Sequence, residues 1–173
     1  MMVQLRSRRA PPWSPASMRA LREMEKRYGA AQEQTDHFAV WYFNGPWKRT
    51  VVYRETVPHH FPHPHEDVLS QTVDYPVPVN KVEKLMEFDG SLVIDRTKGE
   101  LTAHCNSEEL NRALLNLAHD IVIGKQTPDE AREMLRSIYN ALRLNWPEDY
   151  AVALNFSRLD PLYEARDPDR AGK

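Results

Sequence analysis

The chain is poor in cysteine and glycine, and it has no long apolar run. Its single cysteine, Cys105, excludes an intrachain disulfide and any zinc module built on several thiolates, and suits a reducing compartment. Six glycines against thirteen prolines imply stiff connections rather than flexible linkers. No apolar stretch approaches the ~18 residues that a membrane-crossing helix needs, so membrane insertion is not expected. No phosphate loop, dinucleotide fingerprint, paired-cysteine metal module or internal repeat occurs. A net charge of −2 is too small to argue for nucleic acid as a partner.

The 173 residues, 41% hydrophobic and 28% charged, suit one soluble domain with a core of its own. Charge is unevenly spread: residues 1–35 carry +4, residues 36–143 carry −4 and the remainder −2. This predicts a basic irregular arm over 1–13, a single α+β domain over 14–145, and a polar tail over 146–173. The arm offers Arg6, Arg8, Arg9 and Trp13, and the tail Trp146, Phe156, Leu159 and Tyr163. Arginine and aromatic anchors are what interfaces use, so a protein partner or a second copy is expected on these residues. Prolines, not an apolar stretch, follow the first arginines. A secretory signal is therefore not expected, and the cytoplasm is the expected compartment.

Ser14 with Pro15 predicts a helix start, carried by Met18, Leu21, Met24 and Tyr28 and stopped at Gly29. Residues 37–43 and 48–57 read as a hairpin turned by Asn44-Gly45-Pro46. The apolar run Phe38 to Phe43 predicts a strand covered on both faces. Five prolines between Pro58 and Pro78 predict loop or edge structure, with Val68 to Tyr75 as an edge strand. Asn80 and Glu83 suggest a capping box for a short helix ending at Asp89-Gly90. A second hairpin follows over 91–96 and 100–105. Two amphipathic helices come last. One opens on an Asn106/Glu109 box and carries Leu110, Leu114, Leu117 and Ile121; the other opens at Thr127 and turns Ala131, Met134, Leu135, Ile138 and Leu142 inward. Strands early and helices late predict α+β: an antiparallel sheet of two hairpins, with a helical hairpin on one face and an amino-terminal docking helix.

The least random segment is Pro58 to Glu66, P-H-H-F-P-H-P-H-E, which holds four of the seven histidines. Imidazole is the commonest metal ligand and the side chain that titrates near neutral pH. His59, His60, His63, His65, Glu66 and Asp67 are therefore candidate ligands for zinc or non-haem iron. In an extended segment His63 and His65 would point the same way, and the prolines would lower the entropy lost on ordering. The plain alternative is a solvated polar loop. A second candidate is Cys105 with His104, Asn116, His119 and Asp120, a thiol near an imidazole; a lone strand-end cysteine is more often a small core residue. Two functions follow: an accessory or interaction protein whose working surface is the histidine-rich loop 59–67, or a metal-dependent enzyme using that loop as its site.

Overall fold

The side chain of Ser14 accepts from the Ser17 N–H and opens α1 (Pro15–Tyr28), which stops at Gly29 with φ 81°. That glycine holds a left-handed backbone that other residues adopt at a cost. The structure, a computed structural model, describes residues 12–157 and Asp169. Strands β1 (Glu33–Gln34), β2 (Phe38–Asn44), β3 (Trp47–His59), β4 (His65–Asp74), β5 (Val93–Asp95) and β6 (Glu100–Cys105) form one six-stranded sheet in the order β1-β2-β3-β4-β6-β5. Every pairing is antiparallel. The fold is α+β, as the segregation of strand and helix patterns predicts.

Both predicted hairpins are present, and a third joins β3 to β4. Its existence corrects the edge-strand expectation, since β4 is bonded on one side to β3 and on the other to β6. The prolines misled because they fall at strand ends and in the turn; Pro58 alone lies inside a strand, one residue from its end. Strand β2 is covered on both faces only at first. Ala39, Val40 and Trp41 are buried, whereas Tyr42 and Phe43 are exposed as the chain approaches its turn.

A short 3-10 turn precedes α2 (Val82–Phe88), and neither start shows a side-chain cap, so the Asn80/Glu83 box does not form. Helix α3 (Glu108–Ile123) is capped by Ser107, whose side chain accepts from Leu110 N–H, one residue later than the Asn106 box predicts. The Thr127/Glu130 box that opens α4 (Pro128–Arg143) is complete in both directions. On α4, Ala131, Leu135 and Ile138 are buried, but Met134 is 40% exposed. It stands beside the stripe that 131, 135 and 138 already define by their spacing. Beyond α4, α5 (Asp149–Val152) packs on α3.

Side chains of Ala39, Trp41, Val52 and Leu69 meet Ala20, Leu21 and Met24 of α1. Beside them Val73, Tyr75, Leu101, Ala103 and Cys105 share a larger core with Leu85, Phe88, Leu114, Leu117 and Leu135. Gln71, fully buried, bridges the two. Its amide donates to Thr50 Oγ1 at 3.4 Å, and its carbonyl oxygen accepts from Asn111 at 3.1 Å. Helices therefore occupy one face of the sheet.

The Glu108 side chain is completely buried in the first turn of α3. It accepts from Trp47 Nε1 at 2.6 Å, Arg112 at 2.7 Å, the Tyr28 hydroxyl and Arg27. Burial, then the Glu108 carboxylate, pushes the Tyr28 hydroxyl up to about 12. Glu108→Ala leaves these donors facing a void. Removing one partner of a buried charged network costs about 3–5 kcal/mol, and urea denaturation should show a loss of that size. A loss under about 1 kcal/mol would mean the network is solvent-screened in solution.

Candidate metal centre

Strands β3 and β4 bring the histidines together across their turn rather than along the chain. His59 pairs with His65, and Val57 with Asp67. Cross-strand partners share a face of the sheet, and so does the residue two further along. His59, His65 and Asp67 therefore converge. One ligand atom from each lies within 4.8 Å of the other two. His65 Nε2 is 2.9 Å from Asp67 Oδ1, and His59 Nδ1 is 3.3 Å from Asp67 Oδ2. The two imidazole centroids are 5.2 Å apart.

The turn between them is anchored by packing. Phe61 is buried, with the guanidinium of Arg132 3.8 Å above its ring and that of Arg136 at 5.2 Å. Such cation–π contacts add to the apolar burial of the ring. His63 stacks on Tyr139 with centroids 4.6 Å apart. Its carbonyl oxygen accepts from His65 Nδ1 at 2.7 Å, which fixes the tautomer of His65 and leaves Nε2 facing Asp67.

Three of the six predicted ligands are thus assembled and three are not. His60 is exposed, and His63 turns to α4 because residues 60–64 lie outside either strand, where two-residue alternation does not apply. Exposed Glu66 points to the opposite face, where it accepts from Thr56 Oγ1 at 3.0 Å.

Two further residues complete the site. Cys105 Sγ, at the end of β6, lies 3.3 Å from His65 Nε2. Asp89, immediately after α2, places Oδ1 4.0 Å from His59 Nε2. Sequence reading linked Cys105 to His104 and His119 instead. His119, however, bonds to the Tyr75 hydroxyl at 2.8 Å, Asn116 donates to the carbonyls of Tyr150 and Ala153, and Asp120 pairs with Lys125. Asp89 carries no local signal, because it reaches the site through the fold and not through spacing.

The electrostatics are those of a buried, poorly quenched cluster. Asp89 Oδ2 is buried and meets no hydrogen-bond donor, while His59, His65 and Asp67 are held by the ion-pair contacts given above. For His65, burial opposes protonation, but Asp67, the Cys105 sulfur and the His63 carbonyl outweigh it and raise the ring to about 11. Burial pushes the Cys105 thiol up. Burial likewise pushes Asp89 up, against the bonds from Ser91, and pushes His104 down into its neutral form.

Trp13 is half-buried against the α1 cluster, and Phe156 is half-buried with its ring 5.1 Å from both Tyr75 and His119. Trp146 is 64% exposed. Arg6, Arg8, Arg9, Leu159 and Tyr163 lie outside the described residues. Comparisons with family models, with curated proteins and with solved structures find no significant match to this chain.

Two measurements check this description. A buried thiol with a raised pKa has little thiolate at neutral pH, so Cys105 should resist a thiol reagent in the native protein; rapid stoichiometric labelling would contradict its placement. The second concerns pH. A histidine raised on folding stabilises fully below its unfolded value of about 6.5, and that contribution declines as pH rises toward the folded value. In chelator-treated protein, stability should fall as pH rises from about 6.5 toward about 11, and His65→Gln should flatten that slope.

Proposed function

We propose that the chain binds one divalent transition metal, zinc or ferrous iron, through His59, His65 and Asp67, and that this centre is its working site. The observation that carries the reading is the convergence of two imidazoles and a carboxylate within 4.8 Å. Their ring nitrogens and carboxylate oxygens offer lone pairs to a cation once the proton between His65 and Asp67 is displaced. Two histidines and one carboxylate leave coordination positions free for substrate or water. That supports a metal-dependent enzyme. Binding must displace the proton that His65 holds, so metal affinity should rise with pH.

A second reading, an accessory protein that docks on a partner, is supported by a different place on the molecule. Trp146 and Leu144 are 64% and 62% exposed, and Trp146 lines a groove of about 500 Å³ with Leu110, Tyr139, Leu142 and Pro147. Large exposed aromatic anchors beside an apolar groove are what interfaces use. The two readings are compatible, since the groove and the histidine cluster have no residue in common.

Elemental analysis and zinc titration of the full chain decide the first. One equivalent of zinc or iron is expected. His65→Gln and Asp67→Asn should each weaken binding at least ~100-fold, more than loss of a supporting outer residue does. His60→Gln and Glu66→Gln should leave it within about twofold, since neither side chain reaches the centre. Metal-free protein that takes up no zinc at micromolar concentration would sink the proposal.

A further inference from the structure

His59 stands between two carboxylates, one at each ring nitrogen: Asp67 at Nδ1, 3.3 Å away, and Asp89 at Nε2, 4.0 Å away. Asp89 comes from a segment distant in sequence, the loop between α2 and β5. It is 2% exposed, and Ser91 holds its Oδ1 with both backbone N–H and hydroxyl at 2.7 Å. Its Oδ2 is buried and has no hydrogen bond. A self-contained turn built by Asp89 and Ser91 would need only Oδ1. It gives no reason to bury the second oxygen unpaired at a cost of roughly 1–3 kcal/mol.

We infer that Asp89 is a positioning residue for the metal centre: it accepts from His59 Nε2–H when metal is bound, and so commits His59 Nδ1 to the metal. This rests on the metal-binding reading above. A ligand histidine almost always donates its other ring nitrogen to a carboxylate, carbonyl or water, and this raises the basicity of the ligating nitrogen. His65 already has such an acceptor in the His63 carbonyl. Asp89 supplies the equivalent for His59 once its carboxylate, whose Oδ1 now stands 4.0 Å from Nε2, moves to bring an oxygen to hydrogen-bond length.

The test uses the full chain, zinc competed against a chromophoric chelator, and cobalt(II) as a spectroscopic probe. Asp89→Asn keeps an oxygen for the two Ser91 bonds but removes the carboxylate charge. It should weaken zinc binding by ~10–100-fold and alter the cobalt absorption bands, while the metal-free protein melts within a few degrees of the parent. In a His59→Gln background the same change should have no further effect on zinc affinity, since it acts only through that ring. Unchanged affinity and spectrum in Asp89→Asn would overturn the role of Asp89, as would an undiminished effect without His59. If Asp89→Asn fails to fold, Ser91→Ala decides: it loosens the carboxylate without removing it, and should cost several-fold in zinc affinity. Full affinity in Ser91→Ala would overturn the inference. Absence of zinc uptake by the parent would instead sink the metal-binding reading itself.

Discussion

One buried carboxylate joins the two halves of the helix layer. Glu108 opens α3, where the exposed backbone N–H groups of a helix start favour negative charge, and it gathers donors from α1, from the first residue of β3 and from its own helix. A charge this deep survives only when its hydrogen-bonding capacity is filled. Filling it brings the last residues of α1 to the first turn of α3. Arg27 extends the same junction to Glu109 at 2.9 Å. The apolar side chains of the strands set which face is dry, and this junction ties together the helices seated on it.

The dry face in turn decides where the candidate site can form. Strand β4 runs through the middle of the sheet, and its residues Leu69 and Val73 belong to the core. Asp67 and His65 continue the same alternation beyond the core. The strand that buries apolar side chains at one end therefore presents imidazole and carboxylate at the other, beside Cys105 from β6 and Asp89 from the end of α2. Strands hold His59, His65, Asp67 and Cys105, and Asp89 follows directly on α2. The turn that carries His60 and His63 is pinned by Phe61 beneath two arginines and by the His63–Tyr139 stack.

Much of the fold was legible because local chemistry and tertiary outcome agreed. Ser14-Pro15, Thr127 with Glu130, and the glycines at 29 and 124 stop or start helices by backbone rules that need no partner. The α3 and α4 stripes were readable for the same reason. Where two local signals competed, the prediction slipped. Asn106 and Ser107 are both good caps, and the one whose oxygen reached a free N–H won. Proline density between 58 and 78 resembled loop, yet residues 67–73 are buried without interruption in a strand paired on both sides.

The histidine cluster was visible in composition alone. Its membership was not. Spacing by two paired His63 with His65, but pairing across a turn selected His59 and His65, because antiparallel register and not sequence distance decides which side chains meet. By itself, the sequence determined the α+β class, the longer helices, two of the hairpins and the segment richest in metal-ligating side chains, since these depend on periodicity, capping and residue type. Only the tertiary structure decided that three of six candidates converge and that Asp89 and Cys105 join them, since such contacts come from chain segments brought together by the burial of a common core.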